Sequence, residues 1–165
     1  MEIVCIETSF VSLLVSTPSR NLITAANPQL TRDWWQVRRG SFHCMTSDQT
    51  LAEVSRGESE QAQQRLAALA DLPSLPITLE AGNLAAEFLS TGALPAAARA
   101  DAVHLAVASI AQADYLLTWN CRHLANAQIL RRLARQRDRS GWVLPTVCTP
   151  MELMGERAHE TGPDH

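Results

Sequence analysis

Asp101–Asn120, DAVHLAVASIAQADYLLTWN, is the stretch on which the fold turns. Ala102, Val103, Leu105, Ala106, Val107, Ala108 and Ile110 leave a helix over 101–113 almost no polar face, so it belongs at the centre of a domain. At Tyr115 the pattern changes to a short β-rich run, Tyr115–Trp119. A buried helix feeding a strand is the repeating unit of an α/β sheet.

The same alternation extends in both directions. Upstream, Ile3–Ile6 reads as a strand that stops at Glu7-Thr8-Ser9, after which Phe10, Val11, Leu13 and Leu14 resume at helical spacing. A long helical pattern runs from Ser19 to Arg39, with Pro28 expected to break or kink it and Gly40 to end it. Phe42–Thr46 is a second strand, and Ser47 caps a helix through Leu51 and Val54 that ends at Gly57. Ala62, Leu66 and Leu69 mark one face of a further helix, and Pro73 and Pro76 bracket an edge strand ending in Ile77. Thr78 caps a helix carrying Ala81, Leu84, Ala85, Phe88 and Leu89 on one face, stopped by Gly92. Downstream of Asn120 come a helix from about Leu124 to Arg139 and a last strand within Trp142–Cys148. This order predicts one α/β domain over residues 1–154, a central parallel sheet flanked by helices on both faces, and a polar, disordered tail over 155–165.

At 165 residues and 46% apolar composition the chain can bury one core without a staple. Cys5, Cys44, Cys121 and Cys148 form no C-x-x-C pair, and Cys5 and Cys44 fall in apolar runs, so the cytoplasm is the expected location. The first residues lack the basic start and apolar stretch of a signal peptide, and no apolar run approaches the roughly 20 residues of a membrane span, so neither secretion nor membrane insertion is expected. The net charge of −3 excludes binding of nucleic acid through bulk positive charge, but all 14 basic residues are arginines. Arg38-Arg39 and the series Arg131, Arg132, Arg135, Arg137 and Arg139 form clusters suited to phosphate, or alternatively a solvated helix face. No G-x-G-x-x-G or Walker motif occurs, which argues against a dinucleotide or nucleoside-triphosphate site.

Ligands of open parallel sheets lie beyond the carboxyl ends of the strands, so polar residues directly after the strand runs are the first candidates. Glu7 ends the first strand, Asn120 ends the Tyr115 strand, and Asp101 opens the buried helix. If the first and fourth strands are neighbours these three converge, and Glu53 adds a carboxylate from the side. Such an oxygen set suits Mg²⁺ or Mn²⁺ and phosphodiester hydrolysis. Singly, each residue has a plainer role: Asp101 as a helix cap, Asn120 as a turn residue, Glu53 as a solvated flank. Glu7 is harder to place, because glutamate is a poor cap and the turn offers it no obvious partner. His104 lies one turn after Asp101, and a packed, hydrogen-bonded imidazole is the simpler expectation for it. Cys121-x-His123 has no second pair to make a zinc site, and Trp34-Trp35 are expected to divide between core and interface.

The segments IETSF at 6–10, LAEVSRG at 51–57, ADAVHLAVA at 100–108 and YLLTWN at 115–120 together resemble the PIN domain, and in particular the VapC-like toxins of bacterial type II toxin-antitoxin systems. The likeness covers about Met1 to Met154. It implies a three-layer domain acting as an endoribonuclease dependent on Mg²⁺ or Mn²⁺, a homodimer, and inhibition by a cognate antitoxin. It also implies that Glu7, Glu53 and Asp101 are the acidic metal-binding set, with Asn120 at the fourth position and Ser9 in support; His104, from its own position one turn after Asp101, is the residue placed to order that carboxylate or a substrate phosphate. Arg131 and Arg135, one turn apart, are expected to bind RNA phosphates. Two positions depart from the family pattern, since Glu7 and Asn120 stand where aspartate is usual. The alternative is therefore a non-catalytic PIN-like module that binds protein or RNA. A further expectation follows from like-charge repulsion: Asp101→Asn should leave the metal-free protein no less stable than the parent.

Overall fold

The computed structural model describes residues 1–18, 20–137 and 142–155. Five parallel strands form one sheet in the order β3-β2-β1-β4-β5: β1 Ile3–Ile6, β2 His43–Ser47, β3 Ser74–Leu75, β4 Tyr115–Leu117 and β5 Thr146–Cys148. The described helices are α1 Thr8–Leu14, α2 Leu22–Val37, α3 Asp48–Val54, α4 Ser59–Leu69, α5 Leu79–Ser90, α6 Arg99–Ile110 and α7 Ala127–Arg137, with a short 3-10 turn at Arg39–Ser41.

Strand order reverses between β1 and β4, which pair with Cys5 opposite Leu116 and Ile6 opposite Leu117. Their carboxyl ends are thus side by side, and the Glu7 N–H donates to the Leu117 carbonyl at 3.4 Å. Because successive strand residues face opposite ways, β1 feeds two cores. Val4 and Ile6 pack with Phe10, Val11, Trp34, Val54 and Leu69 beneath α1–α4. Cys5 packs on the other side with Leu84, Phe88, Leu94, Leu105 and Leu133 of the α5–α7 layer. Leu117 and Leu116 divide between the same two cores. Helix α6 is buried through Ala102, His104, Leu105, Ala106, Val107, Ala108 and Ser109, as its composition predicted.

Several local expectations hold, and the exceptions have plain causes. Ser47 and Thr78 cap α3 and α5, accepting from the Thr50 and Ala81 N–H groups at 3.1 Å. Gly57 and Gly92 adopt the left-handed φ of +89° and +72° that favours glycine after a helix. Pro28, by contrast, lies inside α2 without ending it. Helix α6 begins at Arg99 with Ala98 as its cap, so Asp101 stands at the third helical position and is not the N-cap. Leu66 is exposed on α4, whose buried positions are Ala62 and Leu69, and Ile77 lies beyond β3. Trp34 is fully buried, while Trp35 lies partly open under the Arg39 guanidinium, 4.1 Å from its ring centre. Burial pushes the Cys5 thiol up to about 12 and that of Cys44 to about 11, so neither is a thiolate at neutral pH. Among the described residues no helix is long and apolar enough to cross a membrane. The expected disordered tail falls almost entirely on 156–165, outside the described residues.

Candidate active site at the carboxyl end of the sheet

Glu7 follows β1 directly, and its side chain turns back to cap α1. Oε1 accepts from the Ser9 N–H at 2.9 Å, from the Phe10 N–H at 3.3 Å and from the Ser9 hydroxyl. The turn therefore does give Glu7 partners, contrary to the expectation from its residue type, because its carboxylate folds back onto the free N–H groups of the first helical turn. Glu7 is only 3% exposed. Ser9 also bridges to the neighbouring strand end, its Oγ accepting from the Trp119 N–H at 2.8 Å and lying 3.2 Å from Thr118 Oγ1.

Glu53, on the last turn of α3, is held by three elements. Thr8 Oγ1 donates to its Oε1 at 2.9 Å, Gln49 Nε2 to its Oε2 at 3.2 Å, and His104 Nε2 meets both oxygens at 2.9 and 3.0 Å. Asp101 is held from the loop after β4, where Asn120 Nδ2 donates to Oδ1 at 2.9 Å and His123 Nδ1 lies 2.8 Å from Oδ2. Since a carboxylate only accepts, the proton in both imidazole contacts is on the histidine nitrogen.

His104 is buried and meets Glu53 directly. Burial opposes its charge, but the hydrogen bond to Glu53 and the attraction of Glu7, Glu53 and Asp101 raise its pKa above the ordinary 6.5. Burial likewise opposes charge on Glu53, yet His104, Thr8 and Gln49 together bring its pKa below the ordinary 4.5. Folding thus strengthens the hold of His104 on its proton, a contribution complete below 6.5 and lost as pH rises through the higher folded value. Glu53 contributes fully above 4.5 and loses its share as pH falls through the lower folded value. The melting temperature of chelator-treated protein should consequently decline above pH 6.5, and His104→Gln, which keeps a donor for Glu53, should flatten that decline. Melting curves recorded from pH 5 to 9 on both proteins check this; parallel curves would show that His104 carries no linked proton.

As a donor set, three carboxylates fit a hard divalent cation. They are not gathered into a ready cage. Among the described residues no group of three His, Cys, Asp or Glu side chains is close enough to hold one ion. Binding one ion with all three therefore requires these side chains to draw closer together.

Of the sequence-derived residues, Glu7 and Ser9 are linked through Thr118 to Asn120 and Asp101, while Glu53 and His104 pair with each other and reach the same turn through Thr8. Arg131 and Arg135 do not enter it. Both are exposed on α7, and it is Arg132 and Arg135 that line a cleft of about 260 Å³ beside Thr91, Gly92 and Ala93. Thr8, Thr118 and His123 were missed from sequence. For His123 the useful signal was its spacing from Asn120: the Asn120 Oδ1 accepts the His123 N–H at 3.0 Å, a side-chain turn that brings the imidazole to Asp101.

No protein-family model matches the sequence, and no curated protein matches it significantly. Solved structures do resemble it. VapC20 of Mycobacterium tuberculosis, a sarcin-ricin loop cleaving toxin, superposes with a TM-score of 0.57 at 17% identity, over 72% of this chain and 91% of that one. VapBC2 of Rickettsia felis, bound to a DNA fragment from its promoter, gives a TM-score of 0.57 at 15% identity, over 89% and 98%. A five-stranded parallel sheet in this order, covered by helices on both faces, gives the chain the PIN-like α/β fold of the VapC toxins.

Proposed function

We propose that this chain is a divalent-metal-dependent endoribonuclease and the toxin of a toxin-antitoxin pair. One observation carries the reading: Glu7 and the hydrogen-bonded pair Asp101–Asn120 stand beyond the carboxyl ends of the adjacent strands β1 and β4, with Glu53 tied to the same turn through Thr8. The fold shared with an RNA-cleaving toxin supports the substrate class, and its likeness to VapBC2, a pairing of toxin and antitoxin, supports an antitoxin partner. A homodimer and a cytoplasmic site of action belong to the same proposal.

Glu7, Glu53 and Asp101 are the residues that would hold Mg²⁺ or Mn²⁺. Such an ion supplies an activated water and charge stabilisation at a phosphodiester oxygen. The chain's own side chains fix the acids. Ser9 ties the Glu7 turn to β4, Thr8 and His104 set the Glu53 carboxylate, and Asp101 accepts one hydrogen bond on each oxygen, leaving lone pairs on both. Purified protein should cleave RNA with Mg²⁺ or Mn²⁺ and stop in excess EDTA. Equal cleavage in chelator would refute the metal mechanism, and no cleavage with either ion would favour the non-catalytic binding module. That second reading draws on the fact that every carboxylate of the set is already engaged by protein donors.

RNA binding is assigned to the exposed arginines of α7. Replacing Arg131 and Arg135 together should weaken RNA binding and reduce the slope of log K against log salt by about one unit for each phosphate no longer neutralised. Filter binding across a salt series measures the slope. An unchanged slope returns α7 to a solvated face.

A further inference from the structure

We infer that Asn120 and His123 form a two-point clasp on Asp101, so that the fourth position of the acidic set positions a carboxylate and does not ligate. The consequence for ion binding rests on the proposed nuclease reading; the clasp itself belongs to the metal-free protein.

Both ends of the Asn120 amide are committed. Its Oδ1 accepts the His123 N–H at 3.0 Å, which fixes the amide orientation and leaves Nδ2 to donate to Asp101 Oδ1 at 2.9 Å. The backbone of Asn120 is committed as well. Its N–H donates to Thr118 Oγ1 at 2.9 Å, and its carbonyl accepts from Leu124 and Ala125 at 3.1 and 2.8 Å. His123 completes the clasp through Nδ1, 2.8 Å from Asp101 Oδ2. One donor thus meets each carboxylate oxygen, and both come from a single turn at the end of β4, with Asp101 in the first turn of α6. An aspartate at position 120 would place a second negative charge where Asp101 now finds a donor. Asparagine there reads as a requirement of the clasp, and the departure from the usual aspartate acquires a physical reason.

Long-range proton–nitrogen NMR on the metal-free full chain, at a pH where the imidazole is neutral, reads the clasp directly. The His123 proton is expected on Nδ1, because the acceptor it faces is a carboxylate. A proton found on Nε2 with Nδ1 bare would overturn the inference. Calorimetric titration with Mn²⁺ reads the consequence. Asn120→Ala and His123→Ala should each weaken Mn²⁺ by about 10–100-fold, the range seen when a partner holding a metal-bound residue is removed. His123→Asn, whose side-chain nitrogen occupies the same position as Nδ1, should restore most of that affinity. Asn120→Asp separates the two roles: the clasp predicts weaker Mn²⁺ binding than the parent, whereas a ligand at this position predicts tighter binding and would overturn the inference. A parent protein that binds no Mn²⁺ would count against the nuclease reading, and the NMR tautomer would still decide the clasp.

Discussion

Asp101→Asn should abolish most RNA cleavage and, at the same time, lower the melting temperature of the metal-free protein. The first effect follows from losing a charged oxygen ligand, and a fall in rate of about 100-fold or more is expected, since removal of a mere supporting partner already costs about 10–100-fold. The second reverses the expectation from charge repulsion. In the structure Asp101 is flanked by two donors, one on each carboxylate oxygen, so the repulsion is already countered. An asparagine has one acceptor and one donor end. With the amide N–H toward Asn120 two donors clash, and with it toward His123 the imidazole must shift its proton to Nε2 to accept, so in either orientation a bond to a charged oxygen is lost. Losing one hydrogen bond to a charged group costs about 1.5–3 kcal/mol. For a domain of this size that is a drop of roughly 3–12 °C, at about 2–4 °C per kcal/mol. Melting and cleavage measured on one preparation check both effects. Near-normal cleavage would remove Asp101 from the site, and a raised melting temperature would mean that repulsion outweighs the clasp.

Trp34→Ala should be the most destabilising single change on the α1–α4 side of the sheet. Trp34 is fully buried, meets Phe10 edge-on with centroids 5.6 Å apart, stacks on Phe42 at 5.8 Å, and donates its indole N–H to the Leu153 carbonyl at 3.1 Å. Removing a buried aromatic of this kind costs about 3–5 kcal/mol in transfer and cavity energy. That is a large part of the roughly 5–15 kcal/mol that holds a typical domain together. Trp34→Phe keeps an aromatic ring and loses the bond to Leu153, so it should fall well short of the alanine variant. Denaturant midpoints at unchanged slope measure both. If Trp34→Ala shifts the midpoint by less than about 1 kcal/mol equivalent, α2 does not anchor this core as described.

The fold was legible because its signals are local. Ile3–Ile6 and Tyr115–Leu117 are continuous apolar runs, α6 is apolar nearly all round, and Ser47, Thr78, Gly57 and Gly92 mark helix ends by backbone chemistry. Boundaries set by packing were less legible. Pro28 stays inside α2, and α6 starts two residues before Asp101. Glu7 and Asp101 could be named from sequence because one follows a strand and the other lies in the first turn of a helix, positions that topology brings to one end of a parallel sheet, whereas Glu53, on the last turn of α3, rested mainly on the family resemblance. What each side chain does there was decided only by the tertiary structure. Glu7 caps α1, His104 reaches Glu53 across 51 residues of chain, and His123 meets Asp101 across 22. A hydrogen bond depends on a few tenths of an ångström and on which lone pair is free, and neither is written in the spacing of residue types along the chain.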